Sequence, residues 1–239
     1  MSKILFEVCV GNIDDVELVD KYPVDRIELT SAMELGGLTP TIGMLKSLRA
    51  LTAIPTVCMV RPHAHGFCYG KHDIAIMFED AKALLEAGAD GIVFGFLDQH
   101  NEIDLSLTQQ MTQLVHLYGK EAIFHKAFDQ TKNIERSLVK LIEVKVDRVL
   151  SEGGNHQGDI QKGFNTLHAL NQKYQKDIEI LAGGGIRAEN VVEVIEKTGC
   201  RQVHSSCKTS FVKDGLQLVK VDEQKLSAMS KQLARFRQP

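Results

Sequence analysis

The sequence predicts an α/β protein, a (β/α)8 TIM barrel formed as one domain over residues 1–239, and three observations carry that expectation. Short apolar runs alternate with helical patterns along the whole chain, with no linker or low-complexity tract between them. The strand openings VDRIEL, ADGIVF and VDRVLS repeat, with CRQVHS as a weaker fourth. Their second residues are Asp25, Asp90, Asp147 and Arg201, and each interval holds two strand–helix units, so four intervals accommodate eight. No G-x-G-x-x-G follows the first apolar run, which argues against an open doubly wound sheet.

The predicted strands are 5–10, 26–30, 56–61, 91–96, 122–125, 148–151, 179–182 and 202–205. Between them lie amphipathic helices. In IAIMFEDAKALLEAG, for example, Ile74, Met77, Ala81 and Leu84 share one face and Gly88 is a stop. Barrels of this kind carry function at the C-terminal ends of their strands. The first strand brings Glu7, Cys9 and Asn12 there, the second Glu28, Thr30 and Ser31. Alternation at period two puts Glu28 and Thr30 on the inner face and Ile27 and Leu29 against the helices. The third strand ends in Arg61 and the loop PHAHGFCYG; the fourth offers Gly95 and Asp98. The fifth offers His125, Lys126 and Asp129, the sixth Ser151 and Glu152, and the eighth His204, Ser205 and Ser206.

The seventh strand runs into Gly183, Gly184 and Gly185 and then into a helical pattern. Glycine loses more entropy on folding than any other residue, so three together need a reason. A tight turn is one. Approach of an oxyanion to bare backbone N–H groups at a helix start is the better one, because loops after strands seven and eight of TIM barrels often hold phosphate. Gly184, Gly185, Ser205 and Ser206 are the expected anion site, with Arg187 adding charge.

Composition sets outer limits. The 239 residues are 44% hydrophobic and 25% charged, enough to bury a large core. A net charge of -3 argues against a nucleic acid or a membrane surface as partner, and no apolar run approaches a membrane span. The sequence leaves a homo-oligomer open. Five cysteines without CxxC spacing suit reduced thiols in a cytoplasmic protein. Cys58 is expected to face the helices and Cys200 to lie at the far end of the eighth strand. His63 and His65 sit in a glycine-containing loop, where two solvated histidines are the simpler expectation than a chelate.

Seven segments in order, EVCV at Glu7, RIELTSAMELGGLTP at Arg26, RPHAHGFCY at Arg61, FHKAFD at Phe124, RVLSEGG at Arg148, AGGGIRAEN at Ala182 and VHSS at Val203, resemble the CutC family. The resemblance implies a TIM barrel, cytoplasmic residence and a part in copper homeostasis through copper binding. It would make copper(I) the metal, with Cys9 and Cys68 as candidate ligands at the mouth. The chain departs from the family pattern in carrying Thr30 where a Cys is usual, His63 to Gly66 where an Arg-Gly-Gly-Asp-like loop is usual, and Lys126 where Arg is usual. A nucleophilic lysine could not be exchanged for an always-charged guanidinium, so Lys126 is not read as a Schiff-base residue.

Three functions remain open on the sequence. One is a copper-binding protein of the CutC type. A second is a lyase or isomerase for a phosphorylated small metabolite, with Glu7, Glu28, Arg61, His125 and Glu152 as the polar catalytic centre. A third is a regulatory or structural barrel without catalysis. Arg26 and Arg61 could serve any of them as structural counter-ions to the carboxylates.

Overall fold

A computed structural model describes residues 3–237. Eight parallel strands close into a barrel in sequence order. They are β1 (Leu5–Val10), β2 (Arg26–Leu29), β3 (Thr56–Met59), β4 (Gly91–Phe94), β5 (Glu121–Phe124), β6 (Arg148–Ser151), β7 (Glu179–Gly183) and β8 (Gln202–Ser205). Helices α1 (Asp14–Val19), α2 (Ile42–Leu51), α3 (Lys71–Glu86), α4 (Leu105–Leu117), α5 (Ile134–Glu143), α6 (Phe164–Tyr174) and α7 (Val191–Thr198) fill the intervals between strands, and α8 (Glu223–Ala234) closes the ring. Of the predicted apolar face of α3, Met77, Ala81 and Leu84 are buried and Ile74 is half-buried, and Gly88 ends the segment at φ +99°.

The repeated strand openings have a mechanical cause. Asp25 donates its amide to the Phe6 carbonyl while its carboxylate accepts the Phe6 amide at 2.9 Å. Asp90 does the same to Thr56, and Asp147 to Ala122, with carboxylate bonds of 2.9 and 2.7 Å. Each Asp therefore joins the start of its own strand to the start of the strand before it. Each also takes a cationic or imidazole partner: Lys3 for Asp25, Lys120 for Asp90 and His116 for Asp147. Arg201 is the weak fourth copy because it offers only its carbonyl, which accepts the Leu5 amide.

Outward strand residues such as Phe6, Ile27, Cys58, Phe94, Phe124 and Val203 join the main core beneath the helices. Cys58 lies in that core, as the alternation predicts, and Cys200 is buried there just ahead of the start of β8. The inside of the barrel is divided. Val57, Met59, Val93 and Ile123 form a small apolar cluster from β3, β4 and β5. The opposite side, from β1, β2, β6 and β8, carries buried Glu7, Glu28, Arg26, Arg148 and Gln202 instead.

Two features depart from the expectations. The helix expected directly on the glycine run starts only at Val191, six residues past Gly185. Between them, Asn190 bonds back to the Gly185 carbonyl and the Arg187 amide, forming a turn. After β8 the chain also forms an antiparallel hairpin, β9 (Lys208–Lys213) and β10 (Leu216–Val221), outside the barrel sheet. Its signal was in the sequence: FVKDGLQLV sets Asp-Gly between two strand-like runs, and Asp214 and Gly215 both have positive φ.

Candidate functional site at the barrel mouth

The register between strands builds the site. Glu7 on β1 lies beside Arg26 on β2 and beside His204 on β8, and Cys9 lies beside Glu28. Arg26 Nε donates to Glu7 Oε2, and His204 Nδ1 is 2.6 Å from Glu7 Oε1. His204 Nε2 faces Glu28 Oε2 at 3.9 Å. The chain of contacts continues down the barrel. Arg26 and Arg148 share the Gln202 side-chain oxygen at 3.1 and 2.7 Å, and Arg148 forks onto Glu121.

These contacts set protonation. Burial pushes the Glu7 carboxyl up, but the Arg26 guanidinium and His204 outweigh it and hold the group down at about 2. Glu28 has no such cation bonded to it. Burial, with the Glu7 charge added, raises its carboxyl although His204 opposes the change. Burial alone would lower His204, yet Glu28 and Glu7 raise it. The Cys9 thiol is pushed well above its ordinary value by burial and by Glu28.

Above this floor opens a cavity of about 370 Å³. Cys9, Glu28 and His204 line its bottom; Arg61, His125, Lys126 and Lys208 line its wall, with Gly184, Gly185 and Ser206 at one side. Arg61 pairs with no carboxylate among the described residues. Its Nη1 donates toward the carbonyls of Leu35, Gly36 and Gly37, and the guanidinium stands 5.0 Å from the Phe67 ring centre. Its Nε is buried without a partner among the described residues. His125 Nδ1 accepts the Ala127 amide, which leaves the proton of the neutral ring on Nε2, also buried and unpartnered. Burial and the Arg61 charge lower His125 to about 3, so the ring is a neutral donor at ordinary pH.

Glu152 lies behind the glycines rather than in the cavity wall. Its carboxylate accepts the amides of His156 and Gly158 at 3.2 and 2.8 Å and meets Lys126 Nζ at 3.0 Å. Asp129 holds the root of that loop by accepting from Ser151 Oγ, the Glu152 amide and the Gly154 amide. Burial raises Asp129 to about 6 even against those three donors.

This packing explains the glycine run in part. A Cβ on Gly184 would stand 2.4 Å from Glu152 Oε2, and one on Gly185 would stand 1.9 Å from the Gly158 carbonyl oxygen. Both residues have positive φ, +127° and +70°. The close approach that demands glycine is thus first an approach of the loop after β6. The amides of Gly184, Gly185 and Ser206 nevertheless make no hydrogen bond to another described residue.

The other expected residues separate. Ser205, expected in the anion site, lines the cavity, but its hydroxyl donates to the Ile186 carbonyl at 2.7 Å, so its single proton is already used. Arg187 is 70% exposed, stands 3.8 Å from Glu189, and lines a second cleft beside the mouth with Gly185, Ser205 and Ser206. Cys68 is exposed and lines a separate cleft with Asp98 and His100, so Cys9 and Cys68 do not share a site. His63 and His65 stack at 4.7 Å, and His63 Nδ1 accepts the His65 amide, which uses one of its two nitrogens. Sequence reasoning left Arg26, His204, Lys126 and Lys208 out of the central set. His204 was readable, since it alternates with Ser206 at a strand end. So was Lys208, which lies three residues past the end of β8 and ahead of the Asp214–Gly215 turn.

The fold and this mouth define a class: a TIM barrel with a polar pocket at the C-terminal ends of its strands. A family model described as the CutC family matches residues 4–209, and the chain belongs to that family, one named for copper homeostasis. The CutC protein of Aliivibrio fischeri strain MJ11 is 35% identical over 87% of this chain and 83% of its own. That of Treponema denticola is 36% identical over 85% and 81%. Among solved structures, the CutC protein of Streptococcus agalactiae, named for copper homeostasis, superposes with TM-score 0.80 at 30% identity, covering 85% of this chain and 98% of that one. The 3-hexulose-6-phosphate synthase of Salmonella typhimurium shares the fold with TM-score 0.65 at 16% identity, over 98% and 100% of the two chains.

Proposed function

We propose that the barrel mouth binds a small anionic metabolite, of the phosphorylated or carboxylated kind, and holds its reacting part over the polar floor. One observation carries this reading. Arg61 and His125, both in the cavity wall, keep buried N–H groups without partners, and Lys208 adds positive charge beside them. A buried unpaired donor costs about 1–3 kcal/mol, and a ligand oxygen would remove that cost. The free amides of Gly184, Gly185 and Ser206 suit an oxyanion on the same side. A lyase or isomerase is the enzyme class that such a pocket suits. Five free cysteines fit a reducing cytoplasm as its setting.

The family's name raises copper, and the donor set argues against a dedicated copper(I) centre. Copper(I) prefers thiolates and thioethers. Met33 and Met59 line the cavity, but Cys9 is the one cysteine that does so among the described residues, and the donors gathered with it within 4.8 Å are the Glu28 carboxylate and the His204 imidazole. Thr30, where the family pattern has Cys, bonds through its hydroxyl to the Leu38 carbonyl.

The test is thermal unfolding with inorganic phosphate and glycerol phosphate against glycerol as the neutral control. At a hundredfold excess over Kd, a ligand stabilises by about 2.7 kcal/mol, several degrees in Tm. The two anions should produce that rise and glycerol should not. Absence of a shift at millimolar phosphate, or a shift that persists in Lys208→Met combined with His125→Asn, would remove the proposal. Bulk at Gly185 is a poor probe, since it strikes Gly158 before it reaches a ligand.

A further inference from the structure

The geometry points to a divalent-cation site of the zinc type on the floor of the cavity, with Cys9 Sγ, Glu28 and His204 Nε2 as its three protein ligands. These donor atoms all lie within 4.8 Å of one another, and Glu28 and His204 already face each other at 3.9 Å. Zinc bonds of about 2.0–2.3 Å imply tetrahedral edges of roughly 3.3–3.8 Å, so a contraction of about 1 Å assembles the site. The chemistry of the set selects the metal. One thiolate, one imidazole and one carboxylate are the mixed ligands that zinc and cobalt(II) accept, whereas copper(I) disfavours the carboxylate and magnesium or calcium the sulfur.

Glu7 completes the arrangement. Its carboxylate takes the Nδ1 side of His204 at 2.6 Å, which fixes the ring and presents Nε2 inward. Histidine ligands of metals are commonly held in this way by a carboxylate on the other nitrogen. Glu7 is itself anchored by Arg26. Gly183, the β7 neighbour of His204, leaves the ring room: a Cβ there would stand 3.1 Å from the His204 Cβ. All three ligands line the cavity, so the fourth position opens toward the space where the anion is proposed to lie. A cation there would supply Lewis acidity to an oxygen of that molecule. The inference stands on the floor alone and does not require the wall to bind an anion.

The experiment treats the full-length protein with a chelator and titrates it with cobalt(II), then measures zinc affinity by competition with a coloured chelator. One equivalent of cobalt should give tetrahedral visible bands and a thiolate-to-cobalt charge-transfer band in the near ultraviolet. Cys9→Ser should abolish the charge-transfer band, and Glu28→Gln or His204→Gln should weaken zinc at least tenfold. Glu7→Gln should keep the spectrum but weaken affinity by about 10–100-fold, the usual cost of losing such a support. The double variant His63→Ala and His65→Ala should bind as the wild type does. A wild-type protein that shows no thiolate band would overturn the inference, without recourse to any variant. So would copper(I) binding with no stoichiometric zinc, or zinc lost only in the His63 and His65 variant. Phosphate thermal shifts in metal-free protein report on the wall separately, so failure of one proposal is distinguishable from failure of the other.

Discussion

The two ends of the barrel use polar side chains in opposite ways. At the base, Asp25, Asp90 and Asp147 each accept a backbone amide and pair with a basic side chain. Just above them, Arg148 is satisfied by Glu121 and Gln202, and Arg26 by Gln202 and Glu7. At the mouth, Arg61 and His125 retain unpartnered N–H groups, Glu28 has a raised carboxyl, and Lys208 forms no ion pair among the described residues. Polar groups with partners inside the protein hold strands together. Polar groups that lack them and also line a cavity, as Arg61 and His125 do, are disposed for something the protein binds; Arg237 Nε, beside Asp25 at the base, is unpartnered too but lines no part of that cavity.

The sharpest way to break this contrast is Arg26→Met. It leaves Glu7 buried without its guanidinium and Gln202 without one donor, and breaking a buried pair from one side costs about 3–5 kcal/mol. Urea unfolding should show a loss of that size. Next is Asp90→Ala at the base, which frees the Thr56 amide and removes the acceptor for Lys120 and Arg49. A loss of about 1–3 kcal/mol is expected in the same measurement, with phosphate response intact.

Proton linkage at the mouth gives a smaller, signed effect. His125 is lowered from 6.5 to about 3, so between those values the unfolded chain takes up a proton that the folded one refuses, and stability falls as pH falls. Asp129 is raised from 3.8 to about 6, so its contribution is lost as pH rises through that range. The two slopes oppose each other between about pH 4 and 6. His125→Asn, whose amide oxygen can still accept the Ala127 amide, removes the first. The variant should gain stability relative to wild type as pH falls from 6 to 4, by about 1.4 kcal/mol per pH unit. A constant difference across that range would mean that His125 is protonated in the fold.

The barrel was legible because each strand carries its own signals. The Asp repeat marked three even-numbered strands, and the alternation of Ile27, Glu28 and Leu29 gave the inner face correctly. The site was legible only as a pool of strand-end residues. Their pairing depends on register, which the sequence does not state: Glu7 could be assigned to the mouth, but not to a position between Arg26 and His204. The glycine run shows the same limit from the other side. Its steric demand comes from Glu152 and Gly158, residues that only the packing of two loops brings to it.

The most direct test of the contrast is a single variant, Lys208→Met, read for stability and for phosphate affinity together. Lys208 lines the cavity, is exposed and has no carboxylate partner among the described residues. Surface positions of that kind change stability by less than about 0.5 kcal/mol. The account predicts an unchanged urea midpoint and a phosphate Kd weakened several-fold by calorimetry. An unchanged Kd, or a loss of stability on the scale of Arg26→Met, would contradict it.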